Sequence, residues 1–244
     1  MRKFNWTNIW QNVRLLLILV GLCFLYSFTL QRNEARKITK SIVEFTSGDN
    51  QFVTSATVNK LLIENNQDTP TIRKDKLDLN KLEKSISSND MIEKSEVFVS
   101  IDGVLKAVVK QKTPIARVNN ELGSFYIDYE GHTMPLSDIH AARVPLVSGE
   151  INEKNSKEIS KLLRFVYDDD FLRKNIIGVQ VLPSGSLLMW NRNFDYTIEF
   201  GKTINVEQKF NNYKAFFQKT VQDSSINKYK SINLKFTQQV VCTK

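Results

Sequence analysis

The chain changes its hydrophobic rhythm several times, and each change marks an element. From Leu15 to Leu30 it reads LLLILVGLCFLYSFTL without a charge. As a helix that run spans about 24 Å at 1.5 Å per residue, slightly less than a hydrocarbon core of about 30 Å. Val13 extends it, Arg14 can snorkel from its end, and Trp6 and Trp10 suit the interfacial belt. A cleaved leader has an apolar run of about 7–15 residues followed by small residues. This run is longer and ends in Phe28-Thr29-Leu30-Gln31-Arg32. The pattern predicts an uncleaved transmembrane helix over 13–31, preceded by a tail at 1–12.

Beyond a charged stalk at 32–37 the rhythm shortens. Ile38 to Phe45 reads as a strand closed by the turn cluster Ser47-Gly48-Asp49-Asn50. Thr54 is placed to cap a helix carrying Val58, Leu61, Leu62 and Ile63, whose spacing is three and four residues. After a polar loop containing Pro70, Leu79, Leu82 and Ile86 mark a second short helix ending in Ser87-Ser88-Asn89-Asp90. Val97, Val99 and Ile101 then alternate, as do Leu105, Ala107 and Val109, with Asp102-Gly103 as a hairpin turn between them. Lys106, Lys110 and Lys112 fall on the outer face. Strand, helix, helix, strand, strand is the order of a small α+β module in which two helices cover one face of a three-stranded sheet.

The C-terminal half repeats the two rhythms on a larger scale. Ser156 to Tyr167 is helical, with Ile159, Leu162, Leu163 and Val166 on one face. Ile176–Leu182, Leu187–Trp190 and Tyr196–Phe200 alternate as strands, and Pro183-Ser184-Gly185 turns the first into the second. Val206, Phe210, Tyr213 and Phe217 mark an amphipathic helix. The chain closes on an expected strand, Lys230 to Phe236, followed by Gln238-Gln239-Val240-Val241.

Composition narrows the function. The net charge is +8, but the lysines (Lys74, Lys106, Lys157, Lys228 and others) are scattered and do not alternate with aromatic residues as a nucleic-acid platform requires. A dispersed basic balance suits a surface near an anionic membrane or cell wall. Two histidines, His132 and His140, and two cysteines, Cys23 and Cys242, lie far apart in sequence. They do not form the set of three or four converging ligands that a metal site needs, and the reading is no cofactor, no metal and two unpaired thiols. Asp168-Asp169-Asp170 lacks the spacing of a calcium loop and reads as a solvated loop at a helix end. Ser184 and Ser186 lack the G-x-S-x-G context of a nucleophile, and Asp128 and Gly131 read as turn residues. The aromatic stripe from Phe210 to Phe217, including Phe216, reads as a helix face packed on a sheet.

Several segments together resemble the bacterial cell-division family FtsQ/DivIB. The first module has the order of a POTRA domain, and Ile92-Glu93-Lys94-Ser95-Glu96-Val97 through Lys112-Thr113-Pro114-Ile115-Ala116 resembles the end of that domain in the family. Phe125-Tyr126-Ile127-Asp128-Tyr129-Glu130-Gly131, Pro145-Leu146-Val147-Ser148-Gly149 and Phe200-Gly201 followed by Lys209 resemble later family segments. Tyr229 to Phe236 resembles the closing strand. That strand in the family carries an acid two residues before an arginine, where this chain has Asn233-Leu234-Lys235-Phe236, so a salt bridge between those positions is in doubt.

The resemblance implies an α+β fold with an N-terminal transmembrane helix (13–31), a POTRA domain (32–116) and a second mixed domain with an extended sheet (117–244). It implies a non-enzymatic divisome scaffold of the inner membrane, with the C-terminal domain in the periplasm. Charge leaves the orientation open, since Arg2, Lys3 and Arg14 face Arg32, Arg36, Lys37 and Lys40 across the helix. It also implies FtsB- and FtsL-like partners, with FtsB adding a strand at Tyr229, Ser231, Asn233, Lys235, Gln238, Gln239, Val240 and Val241. A terminal strand either lies at a sheet edge that can recruit another chain or closes its own sheet. The competing readings are an anchored cell-wall enzyme, for which no nucleophile or carboxylate pair stands out, and a POTRA-type chaperone. The latter carries several such modules and a barrel. Neither nucleic acid nor a small-molecule substrate is expected.

Overall fold

The computed structural model describes residues 6–34, 37–46, 52–64, 77–120, 123–152 and 154–244. The turn expected at Ser47–Asn50, the loop around Pro70, and Arg2, Lys3 and Arg36 lie outside them. The N-terminal helix α1 runs Trp6–Glu34. Its stretch Trp10–Asn33 is long and apolar enough to cross a membrane. It overruns the expected 13–31 at both ends because neither flank holds the proline or glycine that would stop it.

The chain divides into two compact units, Met1–Ser47 with Val53–Lys110, and Gly48–Phe52 with Gln111–Lys244. The division falls a few residues before the 116/117 boundary read from the sequence. Beyond α1, the first unit contains β1 (Lys40–Phe45), α2 (Ser55–Glu64), α3 (Leu79–Ser87), β2 (Ile92–Val99) and β3 (Val104–Gln111). The strands form a three-stranded sheet in the order β1-β3-β2, with β1 parallel to β3. Thr54 caps α2 by accepting the Thr57 N–H at 3.2 Å, and Asp78 caps α3 by accepting that of Lys81 at 3.0 Å, each satisfying an otherwise unpaired donor. Val58, Leu62, Leu82 and Ile86 from the helices meet Val97, Leu105, Ala107 and Val109 in one core. Lys106 and Lys110 stay on the outer side and pair with Glu44 at 3.3 Å and Glu93 at 2.5 Å on the neighbouring strands.

One position departs from the expected alternation. Ile101 belongs to the connection and not to β2, because Ser100 N–H bonds to Val104 O and Gly103 N–H to Ser100 O. Those two bonds end the strand at Val99.

The second unit is built on one mixed sheet. Its strands are β4 (Pro114–Asn120), β5 (Gly123–Asp128), β6 (Thr133–Met134), β7 (Leu146–Gly149), β8 (Ile176–Val181), β9 (Leu187–Asn191), β10 (Thr197–Gly201), β11 (Ser231–Asn233) and β12 (Val241–Thr243). They lie in the order β12-β11-β10-β9-β8-β7-β4-β5-β6. The pairs β4/β7, β7/β8 and β10/β11 are parallel and the others described are antiparallel. The helices are α4 (Ser156–Asp168), α5 (Asp170–Asn175) and α6 (Val206–Gln222). Ile159, Leu162, Leu163, Val166, Leu172, Phe210 and Tyr213 from these helices share a core with alternate strand residues such as Val179, Met189, Ile198 and Ile232. The alternation of buried and half-buried residues along β9 and β10 is that of a sheet covered on one face.

Two expectations need correcting here. Helix α5 breaks the expected loop at Asp168-Asp169-Asp170, because Asp169 accepts the Leu172 N–H at 3.0 Å and caps a new helix. The closing strand is only Ser231–Asn233. Leu234 N–H makes the last ladder bond, to Glu199 O, and Lys235 N–H turns back to Asn233 Oδ1 at 3.0 Å, so the backbone leaves the ladder before Phe236.

Candidate partner-binding edge

The end of the sheet at β12 is assembled from four segments whose residues are far apart in sequence. In β11 the burial alternates, with Ile232 in the core and Ser231 and Asn233 half-exposed. Glu199 sits opposite Asn233 in the parallel register of β10 and β11. Its carboxylate accepts from Ser231 Oγ at 3.4 Å, Asn233 Nδ2 at 3.2 Å and Lys235 Nζ at 2.7 Å. Three polar side chains spaced two apart therefore converge on one acid, as neighbours on one face of a sheet can.

The acid that meets Lys235 comes from β10 and not from position 233 of the closing strand. Lys235 pairs with Glu199 instead, and the uncharged Asn233 forms no salt bridge with it.

The strand that ends the sheet is β12. It pairs antiparallel with β11 through Ser231 with Thr243, Ile232 with Cys242 and Asn233 with Val241, so β11 has a neighbour on both sides, and of the two arrangements open to the closing strand the edge falls to β12. The outer edge of β12 has no strand beside it among the described residues. Its side chains alternate too: Val241 and Thr243 are exposed and Cys242 is half-buried against the core. Burial raises the Cys242 thiol above its ordinary value, leaving it a small apolar side chain and a poor nucleophile at neutral pH.

The segment joining β11 to β12 is held from α6. Asn212 Nδ2 and Gln208 Nε2 donate to the Thr237 carbonyl at 2.8 and 3.3 Å. Phe236 remains 53% exposed and Val241 42% exposed, two apolar side chains on the same terminal segment. Gln238 and Gln239 are exposed, and Val240 is half-buried against the core. Tyr229 lies away from this group, its ring edge-on to Phe216 of α6 with centroids 5.5 Å apart. Of the eight residues expected to bind a partner, three are gathered by Glu199, three follow on the connection, one opens β12, and Tyr229 belongs to the helix packing.

Lys209 supports this end from beneath. It is 2% exposed, and its Nζ donates to the carbonyls of Phe200 at 3.0 Å and Lys202 at 2.7 Å. Its ammonium also lies 4.7 Å from the Phe200 ring centroid. Burial lowers its pKa from the ordinary value. The Phe200-Gly201…Lys209 segment is therefore a brace: it pins the exit of β10, the strand that carries Glu199.

The other candidate groups are used elsewhere. Asp168 accepts from the Tyr129 hydroxyl at 3.1 Å, Asp169 caps α5 and pairs with Lys214, and Asp170 pairs with Arg173. Asp128 is buried, accepts the His132 N–H at 2.7 Å and closes the turn that Gly131 completes. His140 packs edge-on to Phe52, centroids 5.2 Å apart. In the core, Tyr196 and Tyr213 share a 2.8 Å hydrogen bond and Asn191 donates to Tyr213 at 3.0 Å. Burial raises both phenols, which keeps them protonated and unsuited to act as bases near neutrality. Among the described residues no group of three or more His, Cys, Asp or Glu side chains is placed to hold a metal ion.

Glu199, Asn212, Gln208 and Thr243 were not singled out from the sequence, and Cys242 was read only as an unpaired thiol. The polar residues at 231, 233 and 235 alternate visibly, but the acid they meet depends on a strand pairing across more than thirty residues, which no local pattern encodes.

The fold is that of a mixed α+β chain with a membrane-length N-terminal helix and a large sheet ending in a short strand. Within it, the family described as FtsQ/DivIB, C-terminal related, matches residues 113–243. That is more than half of the chain, and the chain belongs to this family of cell-division proteins. No curated protein matches the chain.

Proposed function

We propose that the chain is a non-enzymatic scaffold of the division machinery, and that the outer edge of β12 receives a strand from an FtsB-like partner, which in turn brings an FtsL-like protein. The observation that carries this is the end of the nine-stranded sheet. Its last strand, Val241–Thr243, has no strand on its outer side among the described residues, with exposed Phe236 on the segment that leads into it and exposed Val241 at its start. Backbone N–H and C=O groups at such an edge supply affinity by strand addition, and flanking apolar side chains supply specificity. Glu199 and Lys209 hold the neighbouring strands in place, so the edge is presented by a rigid support.

In this reading α1 crosses the inner membrane once, residues 1–12 stay in the cytoplasm and both units lie in the periplasm. The first unit is a POTRA module, supported by its strand–helix–helix–strand–strand order, and it serves recruitment to the septum. The partner contacts assigned to Ser231, Asn233 and Lys235 then act mainly by setting the register of β11, while Gln238, Gln239, Val240 and Val241 approach the incoming chain.

The test is capture of residues 32–244 by the periplasmic part of an FtsB-like protein. Binding that disappears when residues 240–244 are deleted supports the reading. Undiminished binding by that deletion places the partner elsewhere, and peptidoglycan hydrolysis by the purified chain would reject the scaffold role.

A further inference from the structure

In the first unit, the turn between β2 and β3 carries the most exposed large apolar side chain outside α1 among the described residues. Ile101 is 76% exposed, and Phe98, near the end of β2, is 44% exposed. The rest of the turn, Ser100, Asp102 and Gly103, is polar or without a side chain.

The surroundings of the turn say what covers it. Thr39 N–H donates to Gly103 O at 2.9 Å, and Thr39 Oγ1 reaches the same carbonyl at 3.3 Å. Gly103 has φ +81° and its Cα lies so close to the stalk that a Cβ there would stand 2.6 Å from Lys37 O. The tip is therefore fixed to residues 37–39. Helix α1 ends at Glu34, and the three steps from there to Lys37 extend at most about 11 Å. Ile101 in fact lines one cavity with Tyr26, Phe28, Thr29, Leu30, Arg32 and Asn33, the last two turns of the apolar helix. The interfacial layer on each side of a bilayer is about 5–8 Å deep, so the tip lies at its level. Arg32, Lys37 and Lys40 are exposed around it, the charge that anionic headgroups attract.

We propose that the Ser100–Gly103 turn dips into the headgroup layer of the membrane that α1 crosses, with Ile101 inserted among lipid chains. The occupant of the cavity beside Tyr26–Asn33 is lipid. A single apolar residue flanked by Ser100 and Asp102 makes the insertion one side chain deep. It gives the first unit a second attachment point besides α1, so the unit is held in one orientation to the membrane. The inference rests on α1 being a membrane span.

The full chain, with Cys23→Ser and Cys242→Ser, is labelled with a nitroxide at Ile101→Cys, Asp90→Cys or Leu22→Cys and reconstituted in vesicles of phosphatidylcholine and phosphatidylglycerol. Asp90 lies before β2, at the opposite end of that strand from the tip, and serves as the aqueous reference. Oxygen concentrates in lipid and a nickel chelate in water. Ile101→Cys is expected to show several-fold lower nickel accessibility and higher oxygen accessibility than Asp90→Cys. Leu22→Cys should read deeper still. If Leu22→Cys is deep and Ile101→Cys matches Asp90→Cys, the inference is overturned and the anchor stands. If Ile101→Cys is closed to both probes, protein covers it and the lipid assignment is wrong. If Leu22→Cys itself reads as aqueous, the membrane span fails and the inference with it.

Discussion

The Lys235 ammonium lies 2.7 Å from the Glu199 carboxylate, across the boundary between β10 and the end of β11. Glu199 also accepts from Ser231 and Asn233. Its replacement by alanine unlinks all three at once. The pair is about half exposed on the lysine side, and ion pairs of that kind contribute roughly 0–1 kcal/mol. Glu199→Ala is expected to lower stability by about 1 kcal/mol in urea unfolding while loosening β11, and partner affinity should fall more than it does for Lys235→Ala. Equal affinity losses for the two would mean that Glu199 acts through Lys235 alone.

Gly149 stands opposite Val181 in the β7/β8 register. It has φ +92°, and a Cβ there would lie 2.1 Å from Val181 O, an atom that cannot move without breaking the sheet. Gly185 also has positive φ, +74°, but faces open space. Gly185→Ala should cost about 1 kcal/mol from the left-handed backbone alone. Gly149→Ala should cost about 3 kcal/mol or more, since strain and backbone collision add. Thermal unfolding of the two variants side by side checks the difference, and similar melting temperatures would refute it.

Asp169 offers a pH-dependent test. Partial burial works to raise its carboxyl, but the Lys214 ammonium and the backbone N–H groups at the start of α5 outweigh it, and its pKa falls below the ordinary value. A depressed carboxyl contributes stability above its unfolded pKa of about 3.9 and loses it as pH falls through the folded value. Asp169→Asn keeps a capping oxygen and removes the charge. The variant should be less stable than the parent by about 1 kcal/mol at neutral pH, with the gap closing below about pH 4. A gap that persists in acid would show that capping geometry, not charge, is responsible.

Much of this architecture was legible because it is local. The three- and four-residue spacing of Val58, Leu82, Ile159 and Phe210 placed four helices, and Thr54 announced the start of one of them. The α+β class and the family followed from the order of such elements. The misreadings share a physical cause, which is that hydrogen bonding over a few residues ended or began an element against its hydrophobic rhythm. Ser100 stopped β2 before Ile101, Asp169 began α5, and the Asn233 side chain ended β11 by accepting the Lys235 N–H. Strand order was the least legible feature. That β11 lies between β10 and β12 depends on a parallel crossover through α6, and the hydrophobic pattern of Ser231–Phe236 is the same at an edge or one strand inside it.

The topology has its own readout. The charges flanking α1 do not decide which side each unit occupies, whereas a reporter fused after Lys244 does. An enzyme active only after export is expected to be active there. Activity of a cytoplasm-dependent reporter at the same site would reverse the assignment of both units.

The β12 edge can be tested through the backbone itself. In an antiparallel pair, alternate residues direct both N–H and C=O toward the partner strand, and the residues between them direct both away. Val241 and Cys242 are consecutive in β12, so the N–H of one faces β11 and that of the other faces outward. Proline removes the N–H and is tolerated in a strand only where that group is not needed by the sheet. Val241→Pro and Cys242→Pro are therefore expected to differ. One variant should unfold at a clearly lower temperature because it breaks the β11 pairing. The other should keep its melting temperature and yet lose capture by the FtsB-like partner, since only the outer ladder is damaged. Side-chain truncation at the same edge, Val241→Ala, should weaken binding modestly, because strand addition draws its affinity from main-chain bonds. Circular dichroism identifies which proline variant remains folded, and titration calorimetry measures its affinity. If the folded variant binds the partner as tightly as the parent chain, no strand adds at β12, and the exposed side chains of Phe236, Gln238 and Gln239 become the surface to examine.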